Sequence, residues 1–211
     1  MITNLICAFA LAQGTLTVPF RVTDEAIVVD ATVNGRPVSL MFDSGFSGEV
    51  VLNSAIDIGE SSGTMTLRDF VGEFEAPLVK LKTLKIGAKA LELKDAMVVQ
   101  QPLAQMTHAY NTHADGILGL GAISDSVVTI DFVNHQFVFH PDSYDISTKP
   151  ADGKSTFLEK MLPIGHSAVV MAVNAPDDKP MTMTLDTGNA FFATTHRDVL
   201  ERLGLWSDSK K

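Results

Sequence analysis

The sequence has a single cysteine, few aromatic residues and few basic residues. Because Cys7 has no second cysteine to pair with, the chain contains no intramolecular disulfide. Only 16 Lys and Arg residues oppose 25 Asp and Glu residues, which gives a formal net charge of −9 at pH 7. Nucleic acids are bound through clustered Lys and Arg side chains, so this balance argues against nucleic acid as a partner.

Long apolar runs are also scarce. No stretch is apolar for long enough to span a bilayer, so we expect no stable membrane insertion of the mature chain. Residues 1–14 are apolar at first, with small residues at Ala8, Ala10 and Ala12, like the second half of a secretory signal peptide, although its positive start is missing. We predict a signal-peptide remnant at 1–14 and a secreted or periplasmic protein. The alternative is an apolar terminus of a cytosolic protein.

Short apolar runs separated by turn residues make up most of the chain from Leu16 onward. Residues 27–33 and 38–42 are two such runs, and Asn34-Gly35 lies between them. Asn-Gly between β-branched runs favours a tight hairpin turn, because the turn needs positive φ at both central residues. The pattern predicts an all-β fold in which strand 38–42 folds back on strand 27–33 and ends at Asp43.

Two similar turns each place an aspartate after an apolar run. They are 41–45 (Met-Phe-Asp-Ser-Gly) and 184–188 (Thr-Leu-Asp-Thr-Gly). Asp43 and Asp186 are 143 positions apart, and the same offset pairs Pro37 with Pro180 and Ile27 with Val170. The chain therefore contains an internal repeat in which each copy delivers one aspartate.

These two turns resemble the catalytic signature of the aspartic proteases, pepsin-like and retropepsin-like. Segment 114–121 (Ala-Asp-Gly-Ile-Leu-Gly-Leu-Gly) is similar to the apolar-apolar-Gly segment that follows the Asp turn in each lobe of that family, and 129–132 (Thr-Ile-Asp-Phe) is also similar to a recurrent family strand. The resemblance covers about 26–140 and begins again near 167. It implies an all-β, pepsin/retropepsin-like acid protease barrel with two homologous lobes in one chain.

The domain boundaries follow from this resemblance. Segment 141–153 is rich in Asp, Ser, Pro and Gly and reads as a linker. We predict a first lobe at 15–149 and the start of a second lobe at 150–211, which is truncated because no second apolar-apolar-Gly segment follows. For residues 1–211 alone we expect little or no proteolytic activity, and self-association through exposed strand edges.

The resemblance assigns Asp43 and Asp186 as a catalytic pair acting on a polypeptide substrate, with no cofactor and no metal. Two carboxyl groups that share one proton supply both the base that activates a water molecule and the acid that protonates the leaving group. The residues expected to support the pair are Ser44, Gly45, Thr187 and Gly188. Short hydroxyls hydrogen-bond across the lobes, and glycines permit a tight turn with amides directed at the carboxylates.

Segment 64–74 is the candidate for a mobile hairpin over the site, the flap, with Arg68 and Asp69 near its tip as candidate substrate contacts. Gly63 and Gly72 lie on either side of its residues 65–71. An ordinary surface hairpin is the alternative interpretation.

Two other functions fit the same scaffold. One is a non-catalytic peptide-binding module, because Ser44 stands where the family more often has Thr. The other is a single-lobe, retropepsin-like homodimer that uses Asp43 alone, which the second Asp-Thr-Gly turn disfavours. Taken alone, Asp43 also fits a structural turn at the end of a strand.

Other site types have weaker signals. The glycines of 116–121 lack the spacing and the Lys of a phosphate-binding loop, and their apolar neighbours are typical of a core. Ser47 is not in a nucleophile elbow. The six histidines do not follow a metal-binding spacing.

Overall fold

The computed structural model describes 14–23, 26–68, 72–87, 91–94, 96–103, 112–148, 154, 169–189 and 194–206, with backbone alone for 91–94. The predicted signal segment lies outside these ranges except for Gly14, so export stays a prediction. Asp69, at the tip of the candidate flap, also lies outside them. Within the described ranges, no helix is long and apolar enough to cross a membrane.

The regular secondary structure of the described residues is almost entirely β-strand, which confirms the predicted all-β fold class. The strands are β1 (Leu16–Pro19), β2 (Arg21–Thr23), β3 (Ala26–Val33), β4 (Arg36–Asp43), β5 (Val50–Asn53), β6 (Gly63–Arg68), β7 (Glu73–Lys80), β8 (Thr83–Ile86), β9 (Leu91–Lys94), β10 (Met97–Gln101), β11 (Gly116–Gly119), β12 (Val128–Asp131), β13 (Gln136–Phe139), β14 (Val170–Asn174) and β15 (Pro180–Thr184). In this part of the chain, the α-helical residues are those of α1 (Arg197–Arg202).

Most strands belong to one sheet whose hydrogen-bonded order is β6-β7-β10-β5-β11-β4-β3-β8-β9, with β2 also paired to β3. Its end strands, β6 and β9, are not paired with each other, so the described strands do not close into a barrel. β4 lies near the middle of the sheet, where it pairs antiparallel with β3 and parallel with β11. β4 ends at Asp43, which pairs with Gly119 of β11.

The predicted hairpin between β3 and β4 is confirmed. Val33 pairs with Arg36, which leaves Asn34 and Gly35 as a two-residue turn with φ of 48° and 84°. Positive φ at both positions is what this turn requires and what Asn and Gly tolerate best. The side chain of Asn34 adds a further contact, because its Oδ1 accepts the backbone N–H groups of Lys82 and Thr83 at 3.1 and 3.2 Å.

The main core lies under β4. Leu40 and Phe42 are fully buried in it. A separate sheet of order β1-β13-β12 supplies Phe137, whose ring lies edge-on to that of Phe42 with centroids 5.0 Å apart. Burying aromatic and branched apolar side chains on this scale is the main stabilising contribution in a β-rich domain. The strand that carries Asp43 is therefore rigidly held.

β14 and β15 form the second hairpin of the repeat. They pair antiparallel from Val170 with Thr184 to Asn174 with Pro180. Their loop differs from the first one, because Ala175 donates to the carbonyl of Lys179 and leaves three residues at the turn, including Asp178 with φ of 59°. Each copy of the repeat is thus a hairpin that leads into an aspartate, although the two turns differ in length.

Candidate active site

Asp43 begins a tight turn at the end of β4. Its Oδ1 accepts the N–H groups of Gly45 at 2.8 Å and Phe46 at 3.2 Å. Carboxylates of Asp commonly bond to the backbone two or three residues ahead in this way, and the bonds hold the side chain over its own turn. The carboxyl group is consequently oriented by the local sequence.

Asp186 is held in the same way. It follows β15, and its Oδ1 accepts the N–H of Gly188 at 2.8 Å. The same backbone spacing, an amide two residues beyond the carboxylate, therefore orients both aspartates.

The two turns are joined by a reciprocal pair of hydrogen bonds. The N–H of Ser44 donates to Thr187 Oγ1 at 3.0 Å, and the N–H of Thr187 donates to Ser44 Oγ at 3.0 Å. Each hydroxyl also donates onward, Ser44 Oγ to the carbonyl of Leu185 at 2.7 Å and Thr187 Oγ1 to the carbonyl of Phe42 at 3.2 Å. Serine at position 44 makes the same kinds of bond as threonine at 187.

Ser44 is buried, with 4% of its surface exposed. A buried hydroxyl is stabilising only when its donor and acceptor sites are used, and here both are. The four bonds therefore form a closed, largely desolvated connection between the two turns, which fixes the positions of the aspartates that precede it.

The glycine of each turn lies against the carboxyl group of the other turn. A Cβ atom on Gly45 would lie 2.6 Å from Cγ of Asp186, and a Cβ atom on Gly188 would overlap Cγ of Asp43. Both distances are far below a van der Waals contact. Glycine is therefore required at both positions because the opposite carboxyl group occupies the space of a side chain.

The two carboxyl groups also interact directly. Burial, the nearby charge of Asp186 and a hydrogen bond between the two side chains raise the pKa of Asp43 from its usual 3.8 to about 6, against the opposing effect of the Gly45 and Phe46 amides. Removal from water and a neighbouring like charge both disfavour the ionised form. Between pH 4 and 6, Asp43 therefore retains a proton that an exposed aspartate would lose.

Segment 119–121 is hydrogen-bonded to the residues that follow Asp43. The N–H groups of Gly119, Leu120 and Gly121 donate to the carbonyls of Glu49, Phe46 and Gly48 at 2.8, 2.8 and 3.1 Å. These amides are used within the protein, and Leu118 is buried, so the segment belongs to the scaffold rather than to a phosphate-binding loop.

Arg68 and Asp69 are the two candidate substrate contacts of the flap, and the structure describes only Arg68. It is not in contact with either aspartate. It lies at the end of β6, where its exposed guanidinium pairs with Glu73 of β7 across the hairpin. Residues 64–68 and 73–74 do form the two strands predicted for this segment. Among the described residues, Arg68 has no hydrogen bond to Asp43 or Asp186.

Phe46 is a site residue that the sequence analysis missed. Its amide donates to Asp43 and its carbonyl accepts from Leu120. The signal was its position three residues after the aspartate, where a backbone N–H commonly reaches the carboxylate. For metals, the described residues contain no group of three or more His, Cys, Asp or Glu that could hold an ion.

Comparisons with known proteins give only distant structural similarity. No protein-family model matches the sequence, and no curated protein matches it. Among solved structures, the chain is similar to a retropepsin-like aspartic protease from Rickettsia conorii, with 18% identity, a TM-score of 0.42, and coverage of 61% of this chain and 91% of that one. At this TM-score the similarity carries no weight for function, which has to be argued from the site itself.

Proposed function

We propose that this protein is an aspartic-type endopeptidase in which Asp43 and Asp186 activate a water molecule to hydrolyse peptide bonds. One observation carries the proposal. Two carboxyl groups from residues 143 positions apart interact directly, on turns held together by reciprocal Ser44–Thr187 hydrogen bonds. A structural turn needs one such aspartate, whereas a proton-sharing pair needs two that face each other.

The chemistry needs one proton on the pair at the start. The ionised carboxylate takes a proton from water while the water oxygen bonds to the carbonyl carbon of the substrate, and the protonated carboxyl group gives its proton to the carbonyl oxygen. The tetrahedral intermediate then collapses. The C–N bond breaks as the nitrogen takes a proton from one carboxyl group of the pair, and a hydroxyl of the intermediate gives a proton to the other carboxylate. The products are an amine and a carboxylic acid, and the pair again holds one proton.

The electrostatics of the site favour this starting state. Because the pKa of Asp43 is raised to about 6, the pair retains one proton in mildly acidic solution. Strongly interacting carboxyl groups titrate as a unit, so the rate should follow a bell-shaped curve set by two macroscopic pKa values. The amides of Gly45, Phe46 and Gly188 keep the carboxyl groups in position as protons move.

The reaction requires only water and a polypeptide, so the proposal includes no cofactor and no metal. The homodimer alternative is disfavoured by the contact of Asp186 with Asp43 within one chain, because Asp186 takes the place that a second copy of Asp43 would occupy. Against the peptide-binding alternative, Ser44 makes the same kinds of hydrogen bond as Thr187, so a serine at position 44 is no argument against a catalytic pair.

The test is turnover of a denatured protein substrate by the natural full-length protein between pH 2 and 8. We expect cleavage in acid, inhibition by a peptide with a hydroxyl group in place of the scissile carbonyl, and loss of at least a hundredfold in rate for Asp43→Asn and for Asp186→Asn. The double variant should lose little more than either single variant, since the two residues act as a unit.

Asp142→Asn is the matched control, because Asp142 is exposed and distant in sequence from both turns. It should keep wild-type turnover. Absence of acid-dependent cleavage by the folded wild-type protein would contradict the peptidase proposal. Full activity of Asp186→Asn beside an inactive Asp43→Asn would replace it with the homodimer.

A further inference from the structure

We infer that Phe46 is a positioning residue for Asp43. The Phe46 ring is wedged between Gly48 and Gly119, and this packing, the wedge, holds the Phe46 amide against the Asp43 carboxylate. This role rests on the proposed function, in which Asp43 is a catalytic residue. Phe46 would act through Asp43 and not on the substrate.

The neighbouring glycines locate the ring. A Cβ atom on Gly48 would overlap Cζ of Phe46 and lie 3.0 Å from both Cε atoms, and a Cβ atom on Gly119 would lie 2.5 Å from Cδ1. At Gly48 the three nearest atoms all belong to the Phe46 ring. The ring therefore fills the space that a side chain at position 48 would need, and at position 119 it shares that space with the carbonyl group of Gly48.

Both backbone polar groups of Phe46 are hydrogen-bonded. Its N–H lies 3.2 Å from Asp43 Oδ1 and 3.3 Å from the carbonyl of Asp43, and its carbonyl accepts the N–H of Leu120 at 2.8 Å. Because the ring is attached to the Cα between these two peptide groups, its packing restrains the stretch of backbone that carries the amide in contact with Asp43.

The ring also packs against a second apolar cluster, which consists of Val51, Ala76, Val99 and Leu103. Ala76 lies on β7 and pairs with Met65 of β6, in the hairpin proposed as the flap. The cluster that Phe46 packs against therefore includes a residue next to the base of that hairpin. The corresponding position in the second copy of the repeat is Asn189, so this aromatic wedge belongs to the Asp43 turn.

Loss of the Phe46 packing should change the pKa of Asp43. The Phe46 amide is one of the contacts that lower the pKa of Asp43 and so partly offset burial. A hydrogen bond to the ionised form favours that form, and its loss favours the protonated form. A variant that frees the turn should therefore raise the pKa of Asp43 further and move the alkaline limb of the rate profile to higher pH.

The contact itself is tested by a double-mutant cycle in thermal unfolding. Gly48→Ala should lower the Tm when the Phe46 ring is present, and should have little effect in a Phe46→Ala background, where the clash is gone. Gly63→Ala is the matched control, because a Cβ atom there meets nothing within 4 Å. An equal loss of Tm from Gly48→Ala in both backgrounds would overturn the inference.

The positioning role is tested by titrating the Asp43 carboxyl carbon by NMR, with the signal assigned from Asp43→Asn. We expect an upward shift in the midpoint for Phe46→Ala, a smaller one for Phe46→Leu, and none for Phe132→Ala, a ring that is 56% exposed. An unchanged Asp43 midpoint in a destabilised Phe46→Ala protein would reduce Phe46 to a packing residue.

Neither measurement depends on turnover. If both give the expected result and the protein cleaves no polypeptide, the peptidase proposal fails while the wedge stands. If the wild-type protein cleaves its substrate and the Asp43 midpoint ignores Phe46, the inference fails while the peptidase proposal stands.

Discussion

Ser44 and Thr187 each donate a backbone N–H to the side-chain hydroxyl of the other, at 3.0 Å in both directions. Since the residues are 143 positions apart and equivalent in the internal repeat, the contact has approximate two-fold symmetry. Asp43 and Asp186 directly precede these residues. The same symmetry therefore brings their carboxyl groups together.

Removing one hydroxyl of this contact should weaken both the fold and the site. Thr187→Val keeps the shape of the side chain but leaves the N–H of Ser44 and the carbonyl of Phe42 without the partner they have now. Unsatisfied buried groups of this kind cost about 1–3 kcal/mol each. Urea unfolding should show this loss, and turnover should fall; Thr182→Val, at an exposed position of β15, is the control.

Substituting either turn glycine should damage activity more than stability. Gly188→Ala would place a methyl group on the Asp43 carboxyl group, and Gly45→Ala would do the same to Asp186. The carboxyl groups must move apart, and displacements of about 1 Å commonly cost a hundredfold in rate. Turnover and Tm should be compared with those of Gly63→Ala; a Gly188→Ala protein with wild-type turnover would contradict the observed approach.

Asp43 should destabilise the folded protein above pH 6. Its folded pKa of about 6 exceeds its usual 3.8, so the folded state binds the proton more tightly and stability is lost as pH rises from about 4 to 6. A difference of about two pKa units corresponds to roughly 3 kcal/mol. Asp43→Asn should therefore be more stable than wild type at pH 7 and gain much less at pH 3.5, as measured by urea unfolding at each pH.

Asp131 is a useful comparison for Asp43, because its pKa is shifted in the opposite direction. The pKa of Asp131 is lowered by bonds from the Asn134 side chain and from backbone amides, so its contribution to stability is present above its usual pKa and is lost in acid. Asp131→Asn should therefore not share the pH dependence of Asp43→Asn. A flat difference between wild type and Asp43→Asn across pH 3.5 to 7 would show that Asp43 has an ordinary pKa.

Asp115 should matter for stability through its link to β4. Its Oδ2 accepts the N–H of Ser39 at 2.8 Å, its N–H donates to the carbonyl of Ser39 at 2.7 Å, and its Oδ1 lies 3.3 Å from His113 Nε2. Asp115→Ala removes the carboxylate from a partly buried amide and should cost about 1–3 kcal/mol in urea unfolding. His113→Ala removes only an exposed partner and should cost less than about 1 kcal/mol; equal losses would contradict this account.

Local patterns in the sequence were sufficient to predict the strands around the site. The apolar runs on either side of Asn34-Gly35 predicted the first hairpin, because this turn chemistry and period-two burial depend on neighbouring residues. The end of β4 at Asp43 followed from the same kind of pattern. The repeat of 143 residues identified Asp186 as the second aspartate.

Contacts between distant residues were decided only by the tertiary structure. Sequence spacing did not predict the three-residue turn of the second hairpin, the pairing of Arg68 with Glu73, or the position of the Phe46 ring against Gly48 and Gly119. By itself the sequence determined which side chains begin each tight turn, since that depends on local backbone chemistry. How closely the two carboxyl groups approach, and how far the pKa of Asp43 rises, depends on packing and burial across the whole fold, which no local pattern encodes.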